Sequence, residues 1–186
     1  MTLLEFKKIT LGLIEELNPN STALTDDPDI GAKINAVINQ VMFELARMKK
    51  IPEYVEFDVT EGDVVTFNTI GEKCGKKVYQ VGNVGGVKCS VKANGTVFKM
   101  LESGMAEIDC YVYPTEITED TADSYEFDLT PDVLGIMPYG VAADLLKSDV
   151  SANYGQVYSA RYESMKQMLD PRYQMTSITI DGGITL

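Results

Sequence analysis

The sequence predicts an α+β fold: a helical bundle of two N-terminal and two C-terminal helices, with an inserted antiparallel β-sheet or small β-sandwich. Three observations predict it. Apolar residues recur at helical spacing over the first fifty residues and again from residue 129. Between these stretches the apolar period drops to two, in short runs parted by glycine-bearing turns. Neither helical pair is self-sufficient, because each carries an apolar face that needs a partner. The expected divisions are 1–52 for the first half of the bundle, 53–128 for the β insertion, 129–172 for the second half, and 173–186 for a C-terminal tail with a possible strand. At 186 residues the chain can bury roughly 70% of the surface its unfolded form exposes. Its 45% hydrophobic and 24% charged residues are a globular composition.

Each element has its own signals. Thr2 and Glu5 form a capping-box pattern. Leu3, Phe6, Ile9, Leu13, Ile14 and Leu17 then follow at helical spacing until Asn18 and Pro19 stop them. Asp26-Asp27-Pro28-Asp29 places acids and a proline at a second helix start, where both are favoured. Ile30, Ile34, Val37, Ile38, Val41, Met42, Leu45 and Met48 make one continuous stripe, and Lys49, Lys50 and Pro52 close it. At ~1.5 Å per residue this helix is roughly 33 Å long. Val55, Phe57 and Val59 then alternate with Glu56 and Asp58, and apolar runs through Val65, Phe67, Val78, Val81, Val87, Val91, Val97, Ile108, Tyr111 and Tyr113 give about six strands. Asn94-Gly95 between 87–92 and 96–101 is a hairpin signal, since both residues tolerate positive φ.

Thr130 and Pro131 open the third helix, with Val133, Leu134, Ile136, Met137, Val141, Leu145 and Leu146 on its apolar positions. Gly135 and Pro138 predict a break or kink there. Ser151 caps a last helix carrying Tyr154, Val157, Tyr158, Tyr162, Met165 and Leu169, which Asp170-Pro171 ends. In the tail, Met175-Thr176-Ser177-Ile178-Thr179-Ile180 alternates like a strand.

Composition excludes more than it assigns. The chain has 16 Lys and Arg against 28 Asp and Glu, a net charge of −12. Without a basic cluster, tight nucleic-acid binding and docking on anionic membranes are disfavoured. There is no histidine, which removes the commonest general base, the commonest metal ligand and every Ser-His or Cys-His pair. The three cysteines, Cys74, Cys89 and Cys110, cannot all pair within the chain and form no C-x-x-C. Cys89 and Cys110, in strand-like runs, are expected to be small buried thiols, and reduced thiols suit a cytosolic site of synthesis. Charges at Glu5, Lys7 and Lys8 stand where a secretory signal needs its apolar stretch. No apolar run approaches the ~18 residues of a membrane span.

Possible sites weigh little against ordinary structure. Asp26, Asp27 and Asp29 loosely resemble a calcium loop, but the twelfth position from Asp27 is Ile38, so helix capping is the reading taken. Gly82, Gly85 and Gly86 lack the Gly-Lys-Ser/Thr ending of a phosphate loop. Glu119-Asp120 reads as a solvated pair, not an acid–base dyad. No motif points to a catalytic residue, a metal or a cofactor, and the expectation is a protein that is not an enzyme.

Three features point instead to assembly. Charge is uneven: residues 1–50 carry 6 basic and 7 acidic groups, 51–128 carry 6 and 15, and 129–186 carry 4 and 6. Within 102–128 there are nine acids and no base, either a solvated face that aids solubility or a surface that repels polyanions or meets a basic partner; Glu116, Glu119, Asp120, Asp123, Glu126 and Asp128 are the candidate acidic lumen. Tyr154, Tyr158 and Tyr162 share one helix face, either as core or as a subunit interface. The strand with Ile178 and Ile180 completes either the chain's own sheet or a neighbour's sheet edge.

The helical portions also resemble the head–tail connector (adaptor) proteins of tailed bacteriophages and prophages. The resemblance lies in 129–146, with Leu129-Thr130-Pro131-Asp132 and Met137-Pro138-Tyr139-Gly140-Val141-Ala142-Ala143-Asp144-Leu145-Leu146, and in Tyr158-Ser159-Ala160-Arg161-Tyr162-Glu163-Ser164-Met165. Ile34, Val37, Ile38 and Val41 with the preceding acidic loop also fit, and together these cover about half of the chain. The strand-rich middle is similar to larger adaptors that carry a β insertion, and departs from the all-helical ones. The resemblance implies a virion protein made and assembled in the bacterial cytoplasm. It implies a homo-oligomeric ring of about twelve subunits that contacts the portal protein and a tail or neck protein. DNA would pass its channel without specific binding, past walls that acids keep from gripping phosphate. The alternatives are another neck or tail-completion protein, or a small non-viral binding module.

Overall fold

The computed structural model describes residues 1–19, 24–148 and 153–169. Helix α1 (Leu3–Leu13) begins with the anticipated box: Thr2 Oγ1 accepts the Glu5 N–H at 3.2 Å, and Glu5 Oε2 accepts the Thr2 N–H at 2.9 Å. It ends earlier than the apolar spacing suggests, because Glu15 turns to φ 62°. Helix α2 (Pro28–Met48) is capped by Asp27, whose Oδ1 accepts the N–H groups of Asp29 at 2.8 Å and Ile30 at 3.2 Å.

Six strands follow: β1 (Ile51–Val59), β2 (Val64–Thr66), β3 (Val78–Gly85), β4 (Cys89–Lys92), β5 (Val97–Met100) and β6 (Gly104–Val112). They form two three-stranded antiparallel sheets, ordered β1-β6-β3 and β2-β5-β4. The Asn94-Gly95 hairpin is present, with φ 55° and 87° at the two residues. One helix departs from the sequence reading: α3 (Phe67–Cys74) takes Phe67 out of the strands. Thr66 caps it through Thr69, and Gly75 at φ 69° ends it, so local capping outweighs the β-prone Phe67. Ile70 of α3 joins Val55, Val65, Phe98, Met100, Ile108 and Val112 in one β-side core.

The second core is helical and draws on both ends of the chain. Leu3, Phe6 and Leu11 of α1 and Ile34, Ile38, Met42 and Leu45 of α2 pack with α4 (Pro131–Leu145) and α5 (Tyr154–Leu169). Helix α4 sits at its centre and buries Val133, Ile136, Met137, Pro138, Gly140, Val141, Ala142 and Ala143. Of the break or kink expected at Gly135 and Pro138, the break is absent; α4 is one helix with Pro138 inside it. Burial against three neighbouring helices outweighs the hydrogen bond that proline cannot make. The cap expected at Ser151, the stop at Asp170-Pro171 and the tail strand lie outside the described residues. Among the described residues no helix is long and apolar enough to cross a membrane.

Residues 113–130 do not all belong with the strands. Ile117 and Phe127 are buried in the helical core. Asn39, itself buried, holds this strap by its backbone: Nδ2 donates to Ile117 O at 2.7 Å, and Oδ1 accepts the Ile117 N–H at 2.8 Å. The β module is anchored by Tyr113, which packs in tilted geometry against Phe43 and Tyr79 at 5.0 and 4.7 Å between ring centroids. Tyr79 Oη also donates to Ala46 O at 2.9 Å.

Two substitutions test this packing. Asn39→Ala leaves buried backbone groups of Ile117 without partners, and should cost about 1–3 kcal/mol in urea denaturation. Gly140→Ala should cost a similar amount, about 1–3 kcal/mol, because its methyl would lie 2.7 Å from the Tyr162 ring and 2.9 Å from Val41. Wild-type midpoints for both would show that the helices do not pack in this way.

Candidate functional site

The acidic stretch is built as a pinned strap. Beyond the Asn39 clamp, Asn35 Nδ2 donates to Thr118 O at 3.3 Å. The strap then crosses the start of α1, where Leu3 N–H donates to Tyr125 O at 2.8 Å and Leu4 N–H to Asp123 O at 3.1 Å. Phe127 packs on Phe6 with ring centroids 5.2 Å apart. With Ile117 and Phe127 turned inward, Glu116, Glu119, Asp120, Asp123, Glu126 and Asp128 are all exposed. Among these six, Asp128 alone holds an ion pair within the described residues: Lys76 Nζ lies 2.8 Å from it and 3.0 Å from Glu53. Hydrogen bonds to Asp128 and Glu53 hold the Lys76 ammonium well above its ordinary range. The pair ties the strap to β1.

A second acidic surface is absent from the sequence-derived set. Register places Glu56 directly opposite Glu107 and Tyr54 opposite Asp109, with Asp58 two residues along the same exposed face. Like charges directly opposite each other weaken a sheet, so this face carries a cost. Partial desolvation, then Glu107, Glu56 and Asp109, push the Tyr54 phenol up. The only sequence signal is that Glu56 and Asp58 alternate with Val55, Phe57 and Val59; the pairing with β6 cannot be read from β1.

The three tyrosines part company. Tyr162 is buried, and its Oη donates to Glu44 Oε2 at 3.0 Å. Tyr158 is half-buried, and its Oη donates to Leu13 O. Only Tyr154 stays open, at 67% exposure, so the interface expectation keeps one of the three. The reason is rotation about α5: the face shared by Tyr158, Tyr162 and Leu169 is the one turned to α4. The neighbouring flank carries Tyr154, Val157 and Met168, all more than half exposed. Ile178 and Ile180 lie outside the described residues.

Open clefts complete the surface. One of about 470 Å³ is bordered by Glu53, Tyr54, Asn83 and Asp109, but Glu53 and Asp109 occupy opposite faces of the sheet. An apolar groove of about 430 Å³ is lined by Ile9, Leu13, Leu134, Pro138 and Tyr139. A third, about 410 Å³, has Arg47 and Lys77 beside Tyr113. The Cys110 thiol is buried and pushed up to about 11, chiefly by desolvation, and so is a poor nucleophile.

Tyr162 gives a pH test. Burial first, and Glu44 second, raise its phenol pKa in the folded chain. The stability it contributes is therefore full below the unfolded value of about 10 and lost as pH rises above that. Thermal melts should show a steep fall in stability above about pH 10, shallower in Tyr162→Phe. A slope unchanged by that substitution would contradict the buried Tyr162–Glu44 contact.

Neither a family model nor a curated protein matches this chain.

Proposed function

We propose that this chain is a structural protein of a tailed-bacteriophage particle, a head–tail connector that forms a ring of about twelve copies below the portal. The observation that carries the reading is the contact between α4 and α5. The residues that bear the resemblance come from two separate segments and meet in one place. The Arg161 guanidinium lies 4.3 Å over the Tyr139 ring, Tyr139 and Tyr158 are 6.3 Å apart, and Tyr162 packs on Gly140. A motif shared because of packing has this form: its members touch one another and no substrate.

The surfaces support the same reading. The pinned strap displays carboxylates in a fixed place, and the flank of α5 offers Tyr154, Val157 and Met168 to a neighbour. Acids turned to a channel repel phosphate and let duplex DNA slide. In this proposal the ring is assembled in the bacterial cytoplasm, stays in the virion, and meets the portal on one side and a tail or neck protein on the other.

Co-expression with the portal protein of the same genome tests it. The expected result is co-purification and ring-shaped particles in electron micrographs. Glu119→Lys with Asp120→Lys and Asp123→Lys should leave the ring intact, confer salt-sensitive DNA binding and lower infectivity by at least about tenfold. Virions that contain the chain without any ring would overturn the reading.

A further inference from the structure

Cations are scarce in this chain, yet three of them gather where α2 meets β6. Arg47 lies 5.5 Å and Lys77 6.0 Å from the centre of the Tyr113 ring, and Lys50 lies 4.6 Å from that of Tyr111. The two tyrosines are two residues apart on extended chain, about 7 Å. Arg47, Lys50 and Lys77 are exposed, and among the described residues none of them forms an ion pair. Lys49, Lys76, Lys88, Lys147 and Lys166 each hold a carboxylate. In a chain with 28 acids for 16 bases, three cations that converge on one aromatic cluster and meet no acid leave a local positive field uncompensated.

The cluster is shaped for a carboxylate. Arg47 and Lys77 border the cleft of about 410 Å³, with Phe43 and Tyr113 as its aromatic wall. Arg47 is held in place, because its Nε donates to Tyr113 Oη, and its two Nη groups have no partner among the described residues. A guanidinium fixed at one edge and open at the other suits bidentate pairing with a carboxylate. Glu44 stands on the rim but is already engaged, by Lys166 Nζ at 2.8 Å and Tyr162 Oη at 3.0 Å. Nucleic acid fits poorly, since it would bring a row of phosphates to three cations on a chain of net −12.

The matching carboxylates are on the same chain but out of its own reach. Glu56, Asp58 and Glu107 share the exposed face of β1 and β6, with Glu56 directly opposite Glu107, and none of the three forms an ion pair among the described residues. Tyr54 and Met105, on the same face and close to half exposed, add apolar area that an aromatic wall can cover. Glu107 lies four residues from Tyr111 and six from Tyr113, about 13 and 20 Å along extended chain. Both distances exceed a salt bridge and the Debye length of about 8 Å at physiological salt. Each group of like charges therefore stays uncompensated in a single chain, and one contact between copies relieves both. We propose that the Arg47–Lys77 cleft, with Lys50 beside it, docks the Glu56–Glu107 face of a second copy. The inference stands apart from the ring reading, since the contact needs only two copies.

Sedimentation of the full chain up to millimolar concentration tests it, in low and high salt. The wild type should self-associate, at least about tenfold more weakly in high salt than in low. Lys50→Glu with Lys77→Glu should weaken association at least about tenfold, and so should Glu56→Lys with Glu107→Lys. An equimolar mixture of the two charge-reversed proteins should associate again, because each then offers the other a complementary pair of surfaces. Recovery of that kind cannot come from misfolded variants, and circular dichroism checks each one separately. A wild type that stays monomeric at millimolar concentration in low salt overturns the proposal. So does association that both reversals leave unchanged, or a mixture of folded variants that fails to recover it. Duplex DNA or polyglutamate held by the cleft of a chain that remains monomeric would also overturn it, by assigning the cations to another anion. Rings on the portal formed by a chain that is monomeric when free would discard this contact and leave the ring reading standing. Salt-sensitive, swap-rescued association without any ring would do the reverse.

Discussion

At Gly140 the ring of Tyr162 and a methyl of Val41 come so close that a single added carbon would not fit. Three helices meet at that point: α2 from the N-terminal part of the chain, α4, and α5 near its end. The close approach depends on the missing side chain, and α4 can be apolar on several faces only because α1, α2 and α5 cover it together. A bundle that needs α1 and α2 as well as α5 leaves one arrangement for the residues between. The strands must leave the bundle after α2 and return before α4. The strap performs the return, and Asn39 fixes where it lands.

That architecture places the charged surfaces. The strap has two inward anchors, Ile117 and Phe127, and short polar stretches around and between them, so its acids have nowhere to go but outward. Lys76 joins it to β1 through Asp128 and Glu53. The tilted, touching rings of Phe43, Tyr113 and Tyr79 make the same link on the α2 side. The proposed connector role calls for contact faces held in fixed relation around a channel, and these ties would serve it.

Much of the fold is legible in the sequence because local signals agree. The α2 stripe, the Asn94-Gly95 turn and the Thr2–Glu5 box each rest on neighbours within a few residues. The failures occur where a distant partner decides. Pro138 reads as a break or kink, and a break is avoided only because α1, α2 and α5 surround it. Phe67 reads as strand until Thr66 and Gly75 are seen to frame a helix. Ile117 and Phe127 read as part of a β region, because nothing local shows that Asn39, far back in the chain, will hold them. Of the candidate surface, the strap acids are legible from charge alone. The Glu56–Glu107 pair is not, since register depends on both strands. The tyrosine stripe is visible as a stripe, but which flank of α5 faces α4 is set by Gly140.

A cryo-EM reconstruction of the neck of the phage particle in which this chain is proposed to sit, at a resolution that shows side chains, tests the proposed role directly. The account predicts copies of this chain side by side around the channel beneath the portal, with the strap carboxylates turned to the lumen. Copies scattered singly, or a ring with the strap on its outer rim and other chains lining the channel, would contradict it.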